Sequence, residues 1–386
     1  MNIGIEIECL LHPYTSPGSI VESWYDVAVR CLDSYQKVLK PGYPQMRIDD
    51  FEHAGHQPAH ISAFGWILNK EDPFEDEDSC KSFVLNVSPT NSPLMKGEGP
   101  VEFISPVLEF HASSTHEARW REYTTELFRS INYFARMNNP QTIGDTATHV
   151  HISPIDGWTI DRIKNICRSI LWFEEAFEEL TPSFLRQDHW TFSNSVDNPQ
   201  LRGLDLLTCF SKVRDCTTKD DLIYLMNALD TSLEPDSQRK LTSRYWAWNL
   251  GNLKDGEIQT IEYRRAPRVI NPQDCLMWVE FAASFAYAAM RYGSEDCVKS
   301  YKRMVDGLRQ FINQAYESDF LDAIFMGKSG SKRVLPATRS RTSEAIQRAR
   351  DQAYASNLAM DISLRSPPST SASTQGMPES ICRSNL

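Results

Sequence analysis

Ionisable side chains recur on one face of four short segments whose composition predicts β-strands. Alternate residues of a strand point to the same face, about 6–7 Å apart. In the first segment Glu6 and Glu8 therefore share one face, while Ile5 and Ile7 share the other. Two carboxylates at this spacing repel each other and are costly to bury. We therefore expect this pair to meet water, a cation or a binding partner.

The three other segments place polar residues among apolar neighbours in the same way. They are 101–106 with Glu102, 149–153 with His149 and His151, and 261–264 with Glu262 and Arg264. Each pattern alone is common and is more often structural than functional. Together the four segments supply four carboxylates, two imidazoles and one guanidinium.

If the four strands belong to one sheet, these side chains line one of its faces. Four facing carboxylates need cations, and an oxygen-rich site suits Mg²⁺ or Mn²⁺, whereas Zn²⁺ would prefer more histidine or cysteine. Arg264 lies on the same face as Glu262 and could bind phosphate or carboxylate oxygens bidentately. Divalent ions combined with an arginine are typical of phosphoryl transfer.

Apolar residues at helical spacing predict the helices that support such a sheet. The predicted helices are 20–39, one that starts at Ser114, 160–180, 220–230, 275–290 and one more that ends near Met326. Ser114 and Glu117 have the spacing of a capping box, and Asn271 with Pro272 should cap the apolar helix that follows. Further β-prone runs are 60–68 and 83–87. Asp255 and Gly256 predict a hairpin between strands 244–250 and 257–265.

Composition bounds the domain organisation and the class of partner. The chain has 386 residues, is 41% hydrophobic and carries a net charge of −11, which argues against general nucleic-acid binding. Nine scattered cysteines without zinc spacing predict reduced thiols in a cytoplasmic protein. No apolar run reaches the ~20 residues that span a bilayer. Residues 327–386 are basic and end rich in Ser, Thr and Pro, which predicts a mostly disordered tail after a domain of residues 1–326.

In their order along the chain, the four motifs resemble those of the amidoligase family, which comprises carboxylate–amine ligases of the glutamine synthetase superfamily. The resemblance rests on Gly4-Ile-Glu-Ile-Glu8, Glu102-Phe-Ile-Ser-Pro106, His149-Val-His-Ile152, Ile261-Glu-Tyr-Arg264 and a preceding segment, Arg244-Tyr-Trp-Ala-Trp-Asn249. It covers roughly residues 1–325. It implies an α+β fold in which a glutamine synthetase-like, curved antiparallel sheet forms a partial barrel with helices packed on its outer face.

The same resemblance implies roles for the polar residues. The implied metal ligands are Glu6, Glu8, Glu102, His149 and Glu262, with Glu6, His149 and Glu262 at the ATP phosphates and Glu8 and Glu102 nearer the amine. The implied contacts to ATP come from Arg264, at the γ-phosphoryl group, and from His149, Asn249 and Arg244. His151 and Arg264 would act in catalysis, with His151 toward the substrate. Arg265 points to the opposite face of its strand and receives no role.

The implied reaction is ATP-dependent and uses Mg²⁺ or Mn²⁺. A carboxylate attacks the γ-phosphate to form an acyl phosphate, and an amine then displaces phosphate to give an amide. The substrates would be small-molecule or peptide carboxylates and amines, without nucleic acid or membrane as a partner. Two alternatives stay open: a metal-dependent hydrolase that uses His149 and His151, and a degenerate, non-catalytic binding protein. The second is favoured by the segment after Trp66, which lacks the turn that many relatives carry.

Overall fold

The computed structural model describes residues 1–14, 24–49, 82–87, 99–111, 118–137, 147–182, 185, 191–229 and 242–326. The predicted tail 327–386 and the β-prone run 60–68 lie outside these residues. So does the segment that follows Trp66.

Within the described residues, nine strands form one open sheet. They are β1 (Asn2–Pro13), β2 (Gln45–Asp49), β3 (Ser82–Val87), β4 (Gly99–Ile104), β5 (Leu108–Glu109), β6 (Ala135–Met137), β7 (Ala147–Ser153), β8 (Trp248–Asn249) and β9 (Ile261–Pro267). The order is β2-β3-β4-β1-β7-β9-β8, with β5 and β6 also paired to β1. Every pair is antiparallel except β2 with β3. The prediction of an α+β fold with an antiparallel sheet is confirmed.

The strand register places the charged side chains of β1 and its neighbours on one face. Glu6 lies opposite His149 and Glu8 lies opposite Glu102, so β1 joins the motifs of β4 and β7. On the next strand, His151 lies opposite Glu262. Directly opposite residues of paired strands point to the same face of the sheet. The four motifs therefore share one face, as their period-two spacing predicts.

Helices cover the other, apolar face of the sheet. The described helices are α1 (Trp24–Val38), α2 (Arg119–Phe134), α3 (Ile160–Leu180), α4 (Leu206–Asp215), α5 (Lys219–Asn227), α6 (Pro272–Tyr292), α7 (Glu295–Val298), α8 (Val305–Asn313) and α9 (Asp319–Phe325). Ile5, Val150 and Tyr263 are buried in the same hydrophobic core as the apolar residues of α3 and α6. The ring of Tyr263 lies 5.9 Å from that of Phe281 on α6. None of the described helices has the length and hydropathy needed to cross a membrane.

Helix starts were predicted well where a cap contacts the first turn and poorly elsewhere. Asn271 accepts a hydrogen bond from the backbone of Asp274, and Pro272 is the first residue of α6, as the sequence predicts. The predicted helix start at Ser114 lies outside the described residues, but the helix is not continuous from there, because the backbone of Ala118 is not helical. Helix α2 begins at Arg119 after Ala118, which makes no side-chain cap, and residues 112–117 are outside the described part of the chain. A capping-box spacing alone cannot show where the apolar stripe begins.

The prediction of one helix between α6 and Met326 is also wrong, because three short helices occupy that region. Gly293 ends α6, and its backbone nitrogen donates to the carbonyl of Ala289. A Cβ atom added at Gly293 would lie 2.4 Å from the carbonyl oxygens of Ala289 and of Asn165 on α3. The chain turns here because only glycine allows the end of α6 to approach α3 so closely.

The predicted hairpin exists, but its strands are shorter than predicted. Strand β8 contains only Trp248 and Asn249, and a 3-10 helix, Gly251–Leu253, lies between β8 and β9. Residues 257–260 are not part of a strand. The turn residues at 255 and 256 correctly predicted where the chain reverses. Tertiary contacts decide how many residues of the two strands pair.

Two buried asparagines hold the outer edge of β8. The amide of Asn194 accepts a hydrogen bond from Trp248 N at 2.9 Å and donates one to Trp248 O at 2.9 Å. Asn227 donates to the same carbonyl and accepts from Leu250 N at 2.7 Å. Among the described residues no strand pairs with this edge of β8, and the two side chains take its place and fix the backbone on both sides of Asn249.

An Asn194→Ala variant should therefore lower the free energy of unfolding by about 2–3 kcal/mol, because a buried backbone N–H loses its acceptor. Urea unfolding followed by circular dichroism measures this change. Asn165→Ala is a suitable control, since that partly buried amide donates to a backbone carbonyl at 3.3 Å and accepts from the side chain of Arg168 at 3.0 Å, so its acceptor is used by a side chain and not by a buried backbone N–H. An equal loss in both variants would contradict the role given to Asn194.

Candidate active site

Glu6 lies between the two histidines of β7. Its carboxylate is 3.0 Å from His149 Nδ1 and 2.9 Å from His151 Nε2. Both imidazoles are almost fully buried, and the Glu6 side chain is 12% exposed. The contact arises because β1 and β7 are antiparallel neighbours and the His-x-His spacing sends both rings to the same face.

Glu262 on β9 completes a compact group with Glu6 and His151. One ligand atom from each of the three residues can be chosen so that all lie within 4.8 Å of one another. Asn249 donates a hydrogen bond to Glu262 Oε2 at 2.8 Å, and Arg264 donates one to Glu262 Oε1. Each carboxylate oxygen has two lone pairs, so Glu262 could still bind a cation while it accepts these bonds.

Glu8 and Glu102 extend the site toward β4. They lie directly opposite each other on neighbouring strands, and Glu102 is buried. Glu8 Oε2 accepts a hydrogen bond from Ala147 N at 2.7 Å, and Glu8 Oε1 lies 3.8 Å from His149 Nδ1. The structure thus brings all five predicted metal ligands to one face, while the 4.8 Å group contains His151 in place of His149.

Burial and neighbouring charges oppose each other in the pKa values of the acidic groups. Burial disfavours the charged form of Glu6, but the charge of His151 and hydrogen bonds with both imidazoles outweigh this and hold its pKa well below the usual value. Burial acts likewise on Glu262, where Arg264 and the histidines bring the net pKa down. At Glu8 burial prevails and raises the pKa. Glu6 and Glu262 are therefore the carboxylates best suited to remain charged.

The pKa values of the basic partners, His151 and Arg264, are raised. Burial alone would lower the pKa of His151, but Glu6 and Glu262 outweigh it and raise that pKa. Burial also disfavours the charged form of Arg264, yet Glu262, Glu8 and Glu6 raise its pKa. The face is thus a set of mutually compensating buried charges.

The register of β7 and β9 shifts beside two consecutive arginines that point to opposite faces of the sheet. Thr148 pairs with Ala266 and Val150 with Tyr263, so both Arg264 and Arg265 lie opposite His149. Arg264 reaches Glu262 on the charged face. Arg265 points to the helix-covered face, as predicted, where it meets two glutamates of α3.

The two other residues expected near ATP differ in burial and in their contacts. Asn249 is fully buried and bonded to Glu262. Arg244 is half-buried against the ring of Tyr245, with its guanidinium 5.6 Å from the ring centroid. Burial lowers the pKa of Arg244, which is also influenced by the charges of Arg264 and Glu262. It therefore lies at the margin of the site.

Sequence reasoning missed Thr260, which contacts the histidine at the centre of the group. The Thr260 hydroxyl is 2.9 Å from His151 Nδ1. Thr260 precedes Glu262 and Arg264 at the same period-two spacing, and this parity was the signal that could have identified it.

The structure also extends the site beyond the region that a family comparison recognises. Residues 39–286 match a family model described as "Putative amidoligase enzyme". This range contains every predicted site residue except Glu6 and Glu8, which reach the site through the pairing of β1 with β4 and β7. A search of curated proteins gave no significant match. Because the matched range covers more than half of the 386 residues, the chain belongs to the amidoligase family, whose description denotes a ligase-type enzyme.

Proposed function

We propose that this protein is an ATP-dependent carboxylate–amine ligase that uses Mg²⁺ or Mn²⁺. The observation that carries the proposal is the convergence of Glu6, His151 and Glu262, with Arg264 bonded to Glu262 at the same place. Family membership supports amide formation as the reaction class. A glutamine synthetase-like arrangement is part of the proposal, and the open antiparallel sheet with helices on one face supports it.

The residues present fit a hard divalent cation. Two carboxylates and one imidazole offer oxygen and nitrogen donors within a short span, and the donors are mostly buried. Glu6, Glu262 and His151 would hold the ion, with His149 close to both carboxylates at 3.0 Å and 3.5 Å. Glu8 and Glu102 are the proposed ligands of a further ion. A bound cation would neutralise charge on the polyphosphate of ATP.

The protein's own groups would position the substrates and compensate their charge. Arg264 presents a guanidinium in a largely dry site, where it can stabilise charge on a transferred phosphoryl group. Asn249 fixes the orientation of Glu262, and Arg244 could contact ATP from the margin. Neither the formation of the acyl phosphate nor its reaction with the amine requires a covalent nucleophile from the protein. Cys9 fits this reading, because it is buried in the core on the apolar side and its pKa is raised by burial.

In the proposed reaction, a substrate carboxylate oxygen forms a bond to the γ-phosphorus as the bond to ADP breaks. The amine nitrogen then bonds to the acyl carbon, loses a proton and releases phosphate. The products are an amide, ADP and phosphate. The acid and the amine are proposed to be small molecules or peptides.

Removal of divalent ions tests this proposal directly. The purified protein should convert ATP to ADP and phosphate in step with amide formation when given Mg²⁺ and pools of candidate acids and amines. EDTA should reduce the rate to background, and added Mn²⁺ should restore it, because the cation compensates polyphosphate charge. Phosphate release and mass spectrometry of the products measure both outcomes.

The alternative outcomes have distinct signatures. Stoichiometric zinc or iron that stays bound through purification, together with hydrolysis independent of ATP, would overturn the ligase proposal in favour of a hydrolase. ATP and Mg²⁺ that leave both the melting temperature and the product pool unchanged would favour a non-catalytic binding protein.

A further inference from the structure

His151 can serve a cation only if its Nε2 atom faces Glu6 and Glu262. The structure has this orientation, with Nε2 at 2.9 Å from Glu6 Oε1 and 4.0 Å from Glu262 Oε1. The opposite ring nitrogen, Nδ1, is 2.9 Å from the hydroxyl of Thr260. A contact at Nδ1 therefore fixes the ring on the side away from the carboxylates.

A hydroxyl is suited to this place because it can donate or accept. When Nε2 carries the ring proton and donates it to Glu6, Nδ1 is an acceptor and the Thr260 hydroxyl can donate to it. When Nε2 binds a cation, the ring proton lies on Nδ1 and is donated to the Thr260 oxygen. Asn252 Nδ2, at 3.5 Å from Nδ1, can only donate and so cannot serve the second state.

The backbone before Thr260 is held in an unusual conformation. Gln259 has a φ of 56°, in the left-handed region that residues other than glycine seldom adopt. Its carbonyl accepts a hydrogen bond from Trp158 Nε1 at 2.8 Å, and its N–H donates to Asn252 O at 2.9 Å. Its side chain bonds to Lys254 O at 2.6 Å. Such strain persists only where surrounding contacts enforce it, and here they aim the next residue at His151.

We propose that Thr260 is a positioning residue that keeps His151 ready to bind a divalent cation through Nε2. The inference rests on the proposed function in one respect, that Glu6, His151 and Glu262 bind such an ion. Thr260 acts through His151, and no contact between Thr260 and substrate is required.

The test is the affinity of the full chain for Mn²⁺, measured from the free-ion signal in electron paramagnetic resonance titrations. Thr260→Val should bind Mn²⁺ about 10–100-fold more weakly, which is the typical effect of losing a partner of a metal-binding histidine. Thr260→Ser keeps the hydroxyl and should restore most of the affinity. A simple packing role for Thr260 would not produce this rescue by serine.

Two control variants, Thr124→Val and Glu6→Gln, separate the possible failures. Thr124→Val removes a buried hydroxyl from α2, where it bonds to Trp120 O, and should leave the affinity unchanged. Wild-type binding as weak as that of Glu6→Gln would overturn the cation site and Thr260's role together. Wild-type affinity in a folded Thr260→Val protein would overturn only the role of Thr260. If the valine variant does not fold, Thr260→Ala replaces it with the same expected result.

Discussion

A Glu6→Gln variant should lose nearly all binding of the cation proposed at Glu6, His151 and Glu262, and it should lower the proposed ATP-dependent amide formation by about 10²–10³-fold. Effects of this order follow when one preorganised electrostatic group is removed from an active site. Glu6 contributes to the group with His151 and Glu262 and contacts both imidazoles of β7. Glutamine has nearly the same size, but it lacks the charge that those contacts compensate.

Mn²⁺ titration and steady-state phosphate release would measure the two effects of Glu6→Gln. Glu109→Gln is a matched control, because Glu109 also contacts a histidine, His111 at 3.1 Å, but on the exposed surface. That control should bind Mn²⁺ and turn over ATP like the wild type. A folded Glu6→Gln protein with normal turnover would contradict the assignment of β1 to the site.

An Arg265→Met variant should lower the free energy of unfolding by about 3–5 kcal/mol. Arg265 is 1% exposed and lies 3.4 Å from Glu174 and 3.5 Å from Glu178 of α3. Burial alone would lower the pKa of Arg265, but these two glutamates raise it. Removing the guanidinium takes away a positive charge that lies against two buried carboxylates, and breaking a buried ion pair by removing one partner is strongly destabilising.

Unfolding in guanidinium chloride at fixed pH would measure this loss of unfolding free energy. Arg162→Met is the matched control, since the Arg162–Asp156 pair is well formed but lies at the surface, and it should hardly change stability. Neutralising both glutamates together with Arg265→Met should recover much of the stability, because the buried charge is then gone. Equal effects of Arg265→Met and Arg162→Met would contradict a structural role for the buried cluster.

The two neighbouring arginines show that the alternation of side chains along a strand predicts the direction of a side chain but not its contacts. Alternation predicts that Arg264 shares a face with Glu262 and that Arg265 does not, and the structure agrees. Alternation cannot reveal what Arg265 meets on the other side. Glu174 and Glu178 are about 90 residues away along the chain, on α3, where they are buried at a spacing of four residues while the adjacent Glu175 and Glu179 are only partly buried.

The roles predicted for the two histidines stay predictions, since both rings lie within reach of the same carboxylates. The family pattern assigned His149 to the metal and His151 to the substrate side. In the structure both contact Glu6, and the compact group of possible ligands contains His151. His149 lies 3.0 Å from Glu6 and 3.5 Å from Glu262, and His151 lies 2.9 Å and 4.0 Å from the same residues, so residue type and spacing alone do not select one of them as the ligand.

The sequence by itself determined which residues share a face, because side-chain direction in a strand follows from backbone geometry alone. It also determined which functional groups are present in the four short segments, namely carboxylates, imidazoles and a guanidinium. Only the tertiary structure decided that β1 lies between β4 and β7, which brings Glu6 and Glu8 to motifs located about 100 to 260 residues later. The pairing of distant strands depends on the packing of the whole apolar face, and no local pattern encodes it.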